Sequence, residues 1–207
     1  MIATETLSTE ALLWNAVEAL AEAINTRNQT QGHSMRVARY AVRIGEYLSF
    51  EPELLREIRL GALLHDIGQI FWPEQLLCKQ GTALTDEEKK LIESHTFRGI
   101  ELIQEWPCLE IVQPYILYHQ EWIDGSGYPY GLQGDALPIK VQVISLADVY
   151  EALRHSRTYR KRPGYSHNEA IMRMYPMRGK RWAIELFDHF VASSEQWQEV
   201  SGDDVKS

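Results

Sequence analysis

The sequence predicts an all-α fold, a single helical domain, on three observations. Apolar residues recur at helical spacing along most of the chain. Two boxes of the form Ser/Thr-x-x-Glu, at Thr85 with Glu88 and Ser166 with Glu169, mark helix starts. Sustained strand alternation is missing, and the short run over residues 141–144 does not outweigh its helical setting.

In chain order, residues 11–24 form a first apolar stretch, interrupted by Glu18 and Glu22 and with no basic region before it. It reads as a short helix, packed on its own domain or in a dimer contact, and not as an export signal or membrane span. From His33, the apolar positions Val37, Ala41, Ile44 and Leu48 share a face, with Arg36, Arg39 and Arg43 largely opposite. Pro52 opens a helix through Leu55, Ile58, Ala62 and Leu63, and Thr85 opens one carrying Ile92, His95, Ile100 and Ile103. Residues 111–119 and 141–153 are two more apolar, buried helices. Between them residues 124–138, DGSGYPYGLQGDALP, hold four glycines and two prolines. A loop this long inside a helical domain is usually functional. Residues 11–197 form one domain, with residues 1–10 and 198–207 expected to fray.

The chain has 207 residues, 44% hydrophobic and 24% charged, which excludes wholesale disorder. A net charge of -8 argues against DNA as a partner. Cys78 and Cys108 make no disulfide framework and suit a reducing compartment, so a cytoplasmic location without membrane attachment is expected.

His65-Asp66 ends the apolar run LGALLHDIG, where a buried aspartate is costly unless paired or metal-bound. Asp148 sits in the equally apolar VISLADVYEAL, while His33, His95 and His119 lie on three other helices. Singly, each histidine is more often a hydrogen-bonded surface or core residue, Asp148 a cap or an arginine partner, and an HD dipeptide a chance occurrence. Their joint order, with a glycine-rich loop following His119, points instead to a metal centre built from converging helices.

The chain resembles the HD-GYP family of HD-superfamily phosphohydrolases. The matching text is GHS at 32–34, LLHDIG at 63–68, His95, His119, the DGSGYP loop, ADVYEAL at 147–153 and RTYR at 157–160. The resemblance implies an all-helical domain with a central metal site that hydrolyses the bacterial messenger cyclic di-GMP, or a related cyclic dinucleotide, to linear dinucleotide, with further cleavage to GMP left open. By position, His33, His65, Asp66 and Asp148 would surround one divalent cation. Asp66 would bridge to a second, held also by His95 and His119. Iron or manganese is the implied metal, and Asp66 with His65 would hold the bridging hydroxide that attacks phosphorus. Tyr128, Arg157, Arg160 and Gln69 fall at substrate-binding positions, although Tyr128 equally suits packing of the loop. The basic run Arg154, Arg157, Arg160, Lys161 and Arg162 would steer an anionic diester to the site.

Three glutamines depart from the family pattern. Gln29 stands where some relatives carry a glutamate serving a third metal, so two metals are expected at most. Gln120 replaces a second consecutive histidine, which predicts a weaker second site. Gln69 replaces a lysine whose loss would remove about 3 kcal/mol of transition-state stabilisation, about a hundredfold in rate. A non-catalytic module that binds the dinucleotide or a partner protein is therefore the main alternative. A phosphohydrolase acting on mononucleotides is a weaker one. Oligomeric state and regulatory partners stay open.

Overall fold

The structure is a computed structural model that describes residues 8–77, 79, 83–155, 163–195 and 197. Among these residues every regular element is helical, and pairing of the β type is confined to two isolated bridges, Asp124 with Gln133 and Arg178 with Trp182. Helix α1 (Thr9–Arg27) begins inside the segment expected to fray, because the Ser8 hydroxyl accepts a hydrogen bond from the Ala11 amide at 3.1 Å. Its Val17, Ala21 and Ile24 are buried, so α1 packs on its own domain, while Leu12, Leu13 and Leu20 remain exposed. Residues 1–7 and 198–207 lie outside the described residues.

Helix α2 (His33–Tyr47) follows Gly32, whose φ of +69° suits a residue without Cβ. Helix α3 (Pro52–Leu64) starts at its proline, where the missing N–H costs nothing. A short helix α4 (Glu74–Leu77) comes before α5 (Asp86–Glu93), which opens with the expected Thr85–Glu88 capping box. The helix expected to continue through His95 instead breaks at Ser94, and α6 (His95–Ile103) starts afresh. Three side chains take carbonyls within this one turn: Ser94 Oγ bonds Leu91 O, His95 Nδ1 bonds Ile92 O and Thr96 Oγ bonds Glu93 O.

A second correction concerns residues 111–119. Pro114 belongs in a first helical turn, so α7 (Gln113–Tyr118) starts only there, preceded by a 3₁₀ segment over Pro107–Val112. Helix α8 (Ile139–Arg154) is the axis of the domain. Its Val141, Val143, Ile144, Leu146 and Ala147 are fully buried, so most of its circumference is covered, in keeping with its continuous apolar sequence. It packs against α2 and against α9 (His167–Met174), which has the second expected capping box. Helix α10 (Ile184–Glu195) adds Leu186, Phe187 and Phe190 to the core. No helix among the described residues is long and apolar enough to cross a membrane.

One contact in this frame sets the site. A Cβ on Gly68 would fall 1.9 Å from the His95 carbonyl oxygen and 2.6 Å from the Gly99 nitrogen, so only glycine lets the turn after Asp66 lie against α6. Both obstacles are backbone and cannot swing aside. Gly68→Ala is therefore expected to destabilise the fold by about 3 kcal/mol, measured as a lowered urea midpoint with unchanged slope.

Candidate metal centre

The helix ends converge. His33 opens α2, His65 and Asp66 terminate α3, His95 opens α6, His119 closes α7, and Asp148 projects from α8. Asp66 stands in the middle. Its Oδ2 lies 3.3 Å from His65 Nε2 and 3.8 Å from His33 Nε2, and Asp148 Oδ1 is 3.4 Å from the same His33 nitrogen. Its Oδ1 faces the other way, 3.4 Å from both His95 Nε2 and His119 Nε2. The carboxylate thus presents one oxygen to His33 and His65 and the other to His95 and His119.

The opposite edge of each ring fixes its tautomer. His65 Nδ1 donates to Ala62 O at 2.7 Å, His95 Nδ1 to Ile92 O at 2.7 Å, and His119 Nδ1 to Tyr115 O at 3.0 Å. His33 Nδ1 meets the Glu151 carboxylate at 2.5 Å. With Nδ1 as the donor, a neutral ring turns the Nε2 lone pair inward. His95 and His119 then point two lone pairs at each other across 3.2 Å, an arrangement that favours a cation between them. His65 Nε2 and Asp66 Oδ1 are buried with no hydrogen-bond partner. Four imidazoles and two carboxylates make a nitrogen and oxygen donor set that suits divalent metal ions, and these orphaned atoms fit such ions.

Without a cation the cluster is short of positive charge. Burial pulls His33 down, but the nearby Asp66 carboxylate, the hydrogen bond the ring donates to Glu151 and the charges of Glu151 and Asp148 outweigh it and hold the ring at about 9. Asp66 is pushed up by burial yet ends well below the usual carboxylate range, because the imidazole of His65, with those of His119 and His33 close by, favours its charged form. Burial and the neighbouring His119 lower His95 to about 4.

Sequence reasoning missed two buried glutamates. Glu151, one turn after Asp148 on α8, is 1% exposed and takes both His33 and the Arg36 guanidinium, the latter at 2.8 and 2.6 Å. Its spacing of three from Asp148 was the available signal. Glu121 is fully buried below the glycine-rich loop and accepts the Tyr130 amide at 2.6 Å and the Leu132 amide at 2.9 Å. Only its place directly before the loop hinted at this.

Tyr128 stands with its ring 6.3 Å from that of His95, edge to face, and burial raises its hydroxyl. Gln69 is held by the C-terminal end of α1: Asn28 Nδ2 donates to its Oε1 at 2.8 Å, and Arg27 Nη1 donates to its carbonyl at 3.2 Å. Gln120 Oε1 accepts from Arg181 Nη2 at 3.2 Å. Gln29 is exposed in the turn before α2, with φ +58°. Arg157 and Arg160 lie outside the described residues.

The opposite shifts of His33 and His95 predict a stability maximum for the metal-stripped protein. His33 binds its proton more tightly folded than at its ordinary 6.5; that gain is complete below 6.5 and is lost as pH rises through about 9. His95 does the reverse, so stability falls as pH drops from 6.5 towards about 4. Melting temperature against pH should peak near 6.5, and loading with a divalent metal should remove the alkaline decline, since the ion replaces the His33 proton.

The model of the HD domain family matches residues 18–184. The cyclic di-GMP phosphodiesterase response regulator RpfG of Xanthomonas campestris pv. campestris is 31% identical over 186 residues, covering 88% of this chain and 48% of that protein. The 3'3'-cGAMP-specific phosphodiesterase 1 of Vibrio cholerae serotype O1 is 32% identical over 197 residues, covering 95% of this chain and 44% of that protein. The chain therefore spans less than half the length of these two relatives. Among solved structures, Bd1817, a HDG"Y"P protein from Bdellovibrio bacteriovorus, superposes with a TM-score of 0.67 at 20% identity, covering 91% of this chain and 65% of that one. That likeness is one of fold.

Proposed function

This chain belongs to the HD domain family, and from that membership we propose that it is a metal-dependent phosphodiesterase of cyclic dinucleotides, acting on cyclic di-GMP or a close relative. The observation that carries the reading is the placement of the two Asp66 oxygens, each against a different pair of imidazoles. His33, His65, Asp66 and Asp148 would hold one divalent ion, and Asp66, His95 and His119 a second, with iron or manganese suited to both. Bound there, such ions supply Lewis acidity that activates water and neutralises charge on the phosphoryl oxygens.

The remaining work falls to the chain itself. The carbonyls of Ala62, Ile92 and Tyr115 hold the imidazoles in the tautomer that keeps Nε2 inward. Glu151 orients His33 and is itself oriented by Arg36. Glu121 fixes the loop that carries Tyr128, and the Tyr128 phenol would stack on a base or bond a phosphate oxygen. Arg157 and Arg160 are proposed as further phosphate contacts. The second ion should bind more loosely than the first, because the Gln120 oxygen already accepts from Arg181. The reading carries a cytoplasmic location, with a homodimer or a regulatory protein as a partner open through the exposed side of α1.

One observation favours a second reading. The Gln69 and Gln120 side chains are both engaged within the protein, to Asn28 and Arg181, which suits a receptor that holds the dinucleotide intact. Incubation of the metal-loaded chain with cyclic di-GMP, 3'3'-cGAMP and mononucleotides separates the possibilities. Linear dinucleotide is the expected product; binding with no product over hours supports the receptor, and turnover of mononucleotides alone overturns both.

Ligand roles have their own test. Asp66→Asn is expected to lower both ions in elemental analysis and to reduce turnover at least a thousandfold with the fold retained. His95→Ala should remove the second ion and leave the first. Full metal content and rate in Asp66→Asn would take this aspartate out of the mechanism.

A further inference from the structure

Arg181 reads in the sequence as one more charge in the run RGKRW, yet it is 8% exposed. Its amide donates to Met177 O at 2.8 Å, and the adjoining Trp182 bridges Arg178, so its backbone is pinned before α10. The guanidinium runs between the rings of Trp122 and Trp182, 5.4 and 5.6 Å from their centroids. Nε donates to Ser145 Oγ at 3.0 Å and Nη2 to Gln120 Oε1 at 3.2 Å. Among the described residues, no carboxylate lies within ion-pair distance of it.

A buried guanidinium held only by neutral acceptors is unusual, because desolvating a cation costs several kcal/mol and an anion normally offsets that. Here burial lowers its pKa, and the charge of Asp148 opposes the shift. Both acceptors belong to the metal-ligand elements: Gln120 directly follows His119, and Ser145 sits one turn before Asp148 on α8. The cation is therefore fixed in the wall of the cluster, on the side of Asp148 and Tyr128. A guanidinium has five N–H donors in a planar fork, and Ser145 and Gln120 take two. Packing between two indoles would be served as well by a methionine; the fork and the fixed charge suit an oxyanion.

We propose that Arg181 is an anion-binding residue of this site, its guanidinium gripping a phosphate oxygen of the substrate beside the metal-ligand cluster. The proposal rests on the phosphodiester reading for the identity of the substrate but not for the anion itself.

The test titrates the full-length, metal-stripped chain calorimetrically with inorganic phosphate and with cyclic di-GMP. Arg181→Met should weaken both at least tenfold, and Arg181→Lys, which keeps the charge and loses the fork, should fall between. Arg181-dependent phosphate binding without cyclic di-GMP binding would support the anion role and count against the dinucleotide reading. Unchanged affinities in folded Arg181→Met would overturn the role and leave that reading standing, and a wild type that binds neither ligand would overturn it as well. Should the methionine variant fail to fold, the Nε–H resonance missing from Arg181→Lys identifies Arg181 in the wild type. That resonance must then move on saturation with phosphate, and its failure to move overturns the proposal.

Discussion

A single carboxylate shared between two sets of imidazoles is the constraint on which the rest depends. Asp66 is largely desolvated, its Oδ1 lacks a hydrogen-bond partner, and four histidines from three other helix ends and its own surround it. A buried charge of this kind is tolerated only if opposite charge is held close. The histidines must come near, yet with Nε2 inward they bring lone pairs as readily as protons. The fold therefore has to bring α2, α3, α6, α7 and α8 together around a group that none of them would bury alone.

That requirement explains features outside the cluster. The turn carrying Asp66 can lie against α6 only because Gly68 has no side chain. The break at Ser94, where three side chains compete for carbonyls, lets His95 begin a new helix and aim inward rather than continue the face of α5. Glu151 adds a third carboxylate on the His33 side, and the Arg36 guanidinium meets it with two N–H bonds. Charge and backbone geometry are solved together here, and neither alone would place the ligands.

The helical class, the two capping boxes and the irregular loop were legible because each has a local cause: apolar spacing, a side chain reaching an amide three residues on, a concentration of glycine and proline. The five residues gathered about Asp66 were also legible, through the order of HD, DGSGYP and ADVYEAL. Tertiary causes hid the remainder. The break at Ser94 depends on which carbonyls a serine, a histidine and a threonine take, and the late start of α7 on where Pro114 can sit. Glu121, Glu151 and Arg181 look like ordinary surface charges in the sequence, since a spacing or a place beside a loop is a faint signal and burial is decided by what packs over each charge.

The anchoring of residues 130–132 has a mechanical consequence. Two of the loop's amides are stitched to a carboxylate with no exposure to solvent, and charge-assisted bonds of this sort contribute about 1.5–3 kcal/mol each. Swinging this stretch outward would strip both bonds at once or drag Glu121 into water with it. The glycine-rich segment is thus braced at this stretch as masonry and not hung as a door, its rigidity supplied from beneath by one acid.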